Sequence, residues 1–224
     1  MKYLIKAFLA ASITSTTILT FLVTSTPAWA ADEVETIVLL RHGEKPEGGL
    51  GQLNCQGLNR ALALPQVIAK EFGKPDFIFA PDPSDQKKDS GEFYDYVRPL
   101  ATIEPTAIKF GLPVDASIGV SHSDRLEAAL EKRRYYNAVV IVAWEHRLIE
   151  TIARALLAAH GGDPALVPKW DKDDFDSIYV VTITGTGDAA TVTFSHEREG
   201  LDGQPDACPR WRSWSAPATV QTRP

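Results

Sequence analysis

Short apolar runs alternate with amphipathic stretches along most of the chain. Residues 36–40, 76–80 and 138–144 form mainly apolar runs of strand length, and these predict buried strands. Stretches with helical periodicity lie between and after them. Strands that alternate with helices favour an α/β fold whose central sheet is largely parallel.

Two helices are predicted in the first half of the chain. The first ends near Gly73, and its apolar stripe is formed by Leu58, Leu62, Ile68 and Phe72. The second spans residues 99–110, because Pro99 suits a first helical turn and Gly111 suits a terminator.

Two further helices are predicted in the second half. One begins after Ser121-His122-Ser123, where either serine can act as the N-cap. The other covers residues 147–160, and its apolar face is formed by Leu148, Ile152, Ala155 and Ala159.

Two segments depart from the alternation of strands and helices. Residues 81–96 are polar and predict an inserted loop of the kind that often shapes a site. Residues 176–197 contain two runs typical of strands around Gly185–Asp188, which predict an antiparallel hairpin near the C-terminus, at an edge of the sheet. The tail from Trp211 is expected to be loosely ordered.

The N-terminal 30 residues have the pattern of a signal peptide. Lys2 and Lys6 precede an apolar stretch, and the segment closes with Ala28-Trp29-Ala30, a small-x-small cleavage site. We expect cleavage after Ala30, a single mature domain over residues 31–224, and a secreted or periplasmic protein with no stable membrane insertion. The alternative is a retained N-terminal anchor.

The charge balance limits the classes of partner. The chain has a formal net charge of −6. An acidic surface argues against nucleic acids and anionic membranes as general partners. A site for anions in this protein therefore has to be a local basic pocket.

The chain contains two cysteines, Cys55 and Cys208. In an oxidising compartment such a pair favours a disulfide, and the alternative is two buried free thiols. Neither cysteine has a histidine at a spacing typical of zinc ligands, so no metal is expected.

Basic side chains follow the predicted strands at three places. Arg41 and His42 end the first strand, Arg98 precedes the second helix, and His146 follows the strand at residues 138–144. The carboxyl ends of parallel strands share one edge of a sheet, where ligands bind. Guanidinium groups bind phosphate oxygens in pairs, and a neutral imidazole can attack phosphorus. The pattern predicts a phosphoryl-transfer site.

Several motifs resemble the histidine phosphatase superfamily, which has the phosphoglycerate-mutase-like fold. They are "LLRHGEK", "LNCQGLNRA", "FAP", "RPLAT" and "VVIVAWEH", in this order along the chain. The resemblance implies a three-layer sandwich with helices on both sides of the sheet. It also implies that His42 is the nucleophile, that Arg41, Arg98 and His146 bind the phosphoryl group, and that no metal or cofactor is needed.

The residue that protonates the leaving group is not settled by the motifs. Relatives of the phytase type place an acid directly after the second histidine, where this chain has Arg147. Glu145 adjoins the predicted pocket in sequence. Glu127 lies in the region where mutase-like relatives keep their acid. Some phosphohistidine phosphatases of this family act without such an acid, so the role can also be unfilled.

These features together predict an exported, metal-independent phosphatase that acts on small phosphorylated molecules through a phosphohistidine on His42. Export separates the chain from glycolytic intermediates, so hydrolysis is favoured over mutase chemistry. The expected location suggests a phosphosugar or a phosphate ester of lipopolysaccharide as substrate. The alternative is a non-catalytic phosphate-binding or interaction protein that retains the pocket. The sequence does not specify an oligomeric state.

Overall fold

The computed structural model describes residues 33–209, and a six-stranded sheet runs through this part of the chain. The predicted signal peptide and the tail from Trp211 lie outside the described residues. The strands, in chain order, are β1 (Val34–Arg41), β2 (Phe77–Pro81), β3 (Gln86–Asp89), β4 (Glu92–Asp95), β5 (Val114–Ile118), β6 (Val139–Trp144), β7 (Ser177–Thr184) and β8 (Thr191–Arg198).

The order of strands in the large sheet is β5-β2-β6-β1-β7-β8. The first four strands run parallel, and β7 and β8 form an antiparallel hairpin at one edge. The predicted α/β class, the mostly parallel sheet and the C-terminal hairpin are confirmed.

Four α-helices cover the two faces of the sheet. They are α1 (Cys55–Glu71), α2 (Arg98–Phe110), α3 (Ser123–Leu130) and α4 (His146–Ala159). Alternate residues of β1 point to opposite faces, so that Val38 packs with residues of α1 and α2, whereas Leu39 packs with residues of α3 and α4. The molecule therefore has the three layers that the resemblance implies. Within residues 33–209, no helix has the length and apolar character needed to cross a membrane.

The buried faces of two helices differ from the predicted stripes. In α1 the buried apolar positions include Ala61, Leu64 and Ile68, whereas Leu62 is 52% exposed. In α4 the buried apolar residues are Ile149, Ile152, Ala153, Leu156 and Leu157. Of the predicted apolar face, only Ile152 belongs to this set. Both helices contain more apolar residues than one face can bury, and contact with the sheet selects which of them are covered.

The start of α3 also differs from the prediction. His122 is the N-cap residue, and no side chain makes a capping hydrogen bond there, so neither Ser121 nor Ser123 has the predicted role. Asp124 lies in the first turn as expected. The C-terminal bound of α2 is confirmed, because Gly111 ends it in the left-handed conformation with φ of 67°, and the helix begins at Arg98, one residue before the predicted start.

The polar segment at residues 81–96 is not structureless. β3 and β4 pair as a separate two-stranded hairpin, and Ser90 and Gly91 at its turn both have positive φ. The prediction of a plain loop was wrong because this hairpin does not join the hydrophobic core and so lacks an apolar alternation. Its alternation is polar, with Lys87 and Asp89 turned inward and Lys88 exposed.

The C-terminal segment is bound to α1. Cys55 and Cys208 form the predicted disulfide, with Cα atoms 4.5 Å apart. The Asn59 side chain donates hydrogen bonds to the carbonyl groups of Pro205 and Ala207. These contacts join residues that are about 150 positions apart in the chain.

Candidate active site

The predicted site residues meet at the carboxyl edge of the parallel strands. β1 and β6 pair in a register that places Arg41 beside Trp144, and the His42 amide donates to the Trp144 carbonyl at 3.3 Å. His146 therefore begins α4 next to the end of β1. Arg98 begins α2, and its charge acts on His42. The structure brings all four residues into one cluster.

The protonation state of His42 follows from its surroundings. The side chain is buried, and its Nδ1 lies 2.7 Å from the Gly43 carbonyl oxygen. A carbonyl can only accept, so Nδ1 carries the proton and Nε2 keeps its lone pair. Burial lowers the pKa of His42 well below its usual range, and the charges of Arg98 and Arg41 act in the same direction. The imidazole is therefore neutral, with an unprotonated Nε2.

The turn after His42 is fixed by close backbone packing. A Cβ atom at Gly43 would meet the backbone of Gly57 in α1 at 3.0 Å, so a larger residue here would push the turn and α1 apart by a few tenths of an ångström. The Gly43 amide donates to Thr102 Oγ1 at 2.9 Å, and the Thr102 hydroxyl donates to the Arg98 carbonyl at 2.9 Å. The turn that carries His42 is thereby joined to the start of α2.

Arg41 is held by the segment that precedes β7. Its Nη1 donates to the carbonyl oxygens of Lys172 and Asp174, both at 2.8 Å. Its guanidinium carbon lies 3.8 Å from the centre of the Phe175 ring. The sequence did not indicate this segment, because it holds the guanidinium through backbone carbonyl oxygens. Every residue has such an oxygen, so the residue type does not mark the position.

Arg98 is held by the β3–β4 hairpin. Its Nη1 donates to Asp89 Oδ2 at 2.6 Å and to the Gly49 carbonyl at 3.0 Å. Burial would raise the pKa of Asp89, but its contacts with Arg98 and Lys45 lower it, so the carboxylate stays ionised. A short, charge-assisted bond of this kind fixes the orientation of the guanidinium.

Glu145 has the geometry of a helix cap. Its Oε2 accepts from the backbone amides of Arg147 and Leu148, at 3.0 and 3.2 Å. Its Oε1 lies 3.0 Å from His146 Nδ1 and 3.6 Å from Lys87 Nζ. Burial acts to raise the pKa of Glu145, but these contacts outweigh it and lower the pKa to about 2. The carboxylate is ionised and has no proton to give, which argues against its predicted role as the acid.

Glu127 lies in the middle of α3 and is partly buried. Burial and the neighbouring Asp124 raise its pKa, as an acid requires. Within residues 33–209, however, no hydrogen bond or ion pair joins its side chain to the cluster around His42. The contacts of the described residues therefore do not join Glu127 to this cluster.

Two residues of the site were missed from the sequence. Tyr96 is fully buried, and its ring lies edge-on to His42 with 5.9 Å between centroids. Lys87 lies on the inner face of β3, with Nζ 5.0 Å from the centre of the Tyr96 ring. Both belong to the segment predicted as a polar loop, where neither residue stood in a recognisable motif.

Several buried donors of the cluster lack a partner. Among the described residues, the buried side-chain nitrogen atoms without a hydrogen bond are Arg41 Nε, Arg98 Nε and His146 Nδ1. The last lies near Glu145 without the alignment of a hydrogen bond. The Tyr96 hydroxyl is also buried and unpartnered, and burial raises its pKa, so it keeps its proton. Unpaired buried donors are costly, and an anion would satisfy them.

A cavity of about 700 Å³ adjoins the cluster at His146. Its other lining residues include Arg147, Thr151, Lys169 and Trp170. Within residues 33–209, the histidine, cysteine and acidic side chains form no group of three with the placement of a metal site.

Solved structures share this fold. One is Mycobacterial hydrolase 2, with 15% identity and a TM-score of 0.52 over 73% of this chain and 90% of that chain. Another is the proposed phosphohistidine phosphatase SixA from Nakamurella multipartitia, with 16% identity and a TM-score of 0.50 over 75% of this chain and 98% of that one. No protein-family model matches the chain, and no curated protein matches it. The structural likenesses confirm the fold that the resemblance implies.

Proposed function

We propose that the protein is a phosphatase of the histidine phosphatase superfamily that hydrolyses phosphomonoesters through a phosphohistidine on His42. The observation that carries this proposal is the set of unpaired buried donors, Arg41 Nε, Arg98 Nε and the Tyr96 hydroxyl, in the cluster around a neutral imidazole. A phosphoryl group offers acceptor oxygens to all three donors and an electrophilic phosphorus to the imidazole.

The reaction has two steps in this mechanism. His42 Nε2 attacks phosphorus, the bond from nitrogen to phosphorus forms, and the bond to the ester oxygen breaks. Water then attacks the phosphohistidine and releases inorganic phosphate. The bond from Nδ1 to the Gly43 carbonyl keeps Nε2 free for the attack in each cycle.

The guanidinium groups stabilise the charge of the transferring phosphoryl group. Lys172 and Asp174 hold Arg41, and Asp89 holds Arg98, so neither side chain has to reorganise during the reaction. The Tyr96 hydroxyl is a further donor for a phosphoryl oxygen. The chain's own residues thus supply the charge that the transition state needs.

The cavity beside His146 is the space for the leaving group. A volume of about 700 Å³ suits a small molecule of sugar size, and the lining offers it charged groups of both signs, Arg147 and Lys169 together with Glu150 and Asp171. SixA from Nakamurella multipartitia is described as a proposed phosphohistidine phosphatase, which supports the phosphatase class.

We place this activity outside the cytoplasm. The predicted signal peptide motivates the location, and the Cys55–Cys208 disulfide supports it, because such bonds persist in oxidising compartments. The partner is a small phosphorylated molecule, without nucleic acid and without stable membrane insertion.

The decisive experiment compares the parent protein with His42→Ala. We expect the parent to release phosphate from a panel of phosphomonoesters, with and without a chelator, and the variant to be inactive but folded. Labelled substrate should leave an acid-labile phosphoryl group on His42. Turnover by the variant would refute the mechanism, and phosphate binding by an inert parent would favour the non-catalytic phosphate-binding alternative.

A further inference from the structure

The mechanism above leaves the leaving group without a proton. An alkoxide is a poor leaving group unless a proton reaches its oxygen as the bond to phosphorus breaks. Glu145 is ionised and caps α4, and Glu127 has no contact with the cluster among the described residues. Neither carboxyl group can fill the role from its observed position.

Two proton-bearing side chains turn toward the cluster from residues 81–96, those of Tyr96 and Lys87. Burial raises the pKa of Tyr96, which makes its hydroxyl a poor acid, so Lys87 is the stronger candidate. It shares the inner face of β3 with Asp89, which holds Arg98. Its ammonium nitrogen lies 3.6 Å from Glu145 Oε1, and its side chain is about two-thirds buried, with 33% exposed. It also contacts the face of the Tyr96 ring, which in turn contacts His42. The ammonium is therefore held between solvent and the side chains that bind the phosphoryl group in the proposed mechanism.

We propose that Lys87 is the general acid of this phosphatase. This inference rests on the proposed function. In the first step, the Lys87 ammonium gives a proton to the ester oxygen as the bond between that oxygen and phosphorus breaks. At the same time His42 Nε2 forms its bond to the phosphorus. The products are an alcohol, a phosphohistidine and a neutral amine. In the second step, the amine accepts a proton from the water that attacks phosphorus. Inorganic phosphate is released, and the Lys87 ammonium and the neutral His42 imidazole are regenerated.

The charged surroundings of Lys87 suit this cycle. Burial lowers the pKa of Lys87, and Arg98 acts in the same direction, while Glu145 and Asp89 act against them. A lysine whose pKa is lowered gives up its proton more readily than an exposed one. The anion of Glu145 orients the ammonium, and so Glu145 is a positioning residue here.

The hairpin offers a matched control. Lys88 adjoins Lys87 in β3 but points to the opposite face, where it is exposed and lies 5.9 Å from the Phe93 ring. Lys88→Met removes the same charge from the same strand without touching the cluster. It should leave every rate close to that of the parent.

The test compares leaving groups in Lys87→Met and Lys87→Arg. A nitrophenolate leaves almost without a proton, whereas an alkoxide needs one. For Lys87→Met we expect a loss of about 100- to 10,000-fold on sugar phosphates and a much smaller loss on nitrophenyl phosphate. Arginine keeps the charge but does not deprotonate, so Lys87→Arg should be as defective as Lys87→Met on sugar phosphates.

Three readouts decide the proposal. Equal losses on both substrate types, or rescue by arginine, would show that Lys87 acts only through its charge and would overturn it. Retained nitrophenyl phosphate activity shows that each variant is folded and that the proposed function holds. In the parent, sugar phosphate turnover should fall on the alkaline side with a pKa below that of an ordinary lysine, and this fall should be absent from Lys87→Met. A parent that hydrolyses no ester at all would instead refute the proposed function itself.

Discussion

Burial, together with the charges and hydrogen bonds around a side chain, sets the protonation state of single residues in this protein. His42 is neutral because burial and neighbouring cations oppose its charge. Glu145 is ionised because its contacts outweigh its burial. Glu35 lies at the amino end of β1, and no hydrogen bond within residues 33–209 stabilises its ionised form. Both of its carboxyl oxygens are buried without a hydrogen-bond partner among the described residues. Burial, together with Glu131, raises the pKa of Glu35 to about 8.

The raised pKa of Glu35 predicts a pH dependence of stability. The folded state keeps a proton that the unfolded chain releases near its ordinary pKa of about 4.3. The contribution of Glu35 is therefore complete below about pH 4 and is lost as pH rises to about 8, with a slope of up to about 1.4 kcal/mol per pH unit. Urea unfolding of Glu35→Gln from pH 5 to 8 should lack this slope.

The exposed Glu47 provides the control for this experiment. Glu47→Gln should keep the pH dependence of the parent. If Glu35→Gln also keeps it, then the Glu35 carboxyl is ionised in the folded protein and the prediction is wrong.

At the scale of elements, two short structures position the site. The β3–β4 hairpin supplies Asp89 to hold Arg98 and turns Lys87 inward. The start of α4 supplies His146 and is capped by Glu145. In both elements, a carboxylate fixes a neighbouring donor and does not exchange protons itself.

A capping role for Glu145 predicts the result of Glu145→Gln. The amide still offers an oxygen to the α4 amides but loses the charge, so we expect about 0.5–1 kcal/mol of destabilisation, measured by thermal or urea unfolding. Because Glu145 orients the Lys87 ammonium, turnover of sugar phosphates should fall more than that of nitrophenyl phosphate, but by less than in Lys87→Met. A selective loss of about 100-fold or more in Glu145→Gln, together with sugar phosphate turnover like that of the parent in Lys87→Met, would restore Glu145 as the proton donor.

At the scale of the whole molecule, the C-terminal segment stabilises the frame that carries the site. Arg60 of α1 is fully buried and donates to Glu44, which follows the His42 turn, and to Glu199, which follows β8. The disulfide between Cys55 and Cys208 lies at the start of the same helix. The two ends of the described chain are thus joined at α1.

Loss of the disulfide should therefore act on global stability. The bond closes a loop of 153 residues, for which chain entropy predicts about 4–5 kcal/mol of stabilisation. We expect the Cys55→Ser/Cys208→Ser double variant to unfold at a lower urea concentration than the oxidised parent by a corresponding amount. A reducing agent should shift the parent toward the variant and leave the variant unchanged. Equal stability of parent and variant in oxidising buffer would contradict the prediction.

The sequence by itself determined the frame of the sheet and predicted that four basic residues meet at one of its edges. Apolar runs of strand length are local patterns, and parallel strands end at one edge, so the order of residues along the chain is enough to place Arg41, His42, Arg98 and His146 together. The disulfide was also within reach, because the chain contains only two cysteines.

The tertiary structure alone decided the rest. The sheet selected which apolar residues of α1 and α4 are buried, and the hairpin brought Lys87 and Tyr96 to the cluster without any apolar pattern. The tertiary structure also placed Glu145 at the start of α4, where it caps the helix and its contacts lower its pKa. Protonation depends on desolvation and on charges that lie far apart in the chain, and no local pattern of residues encodes either of these.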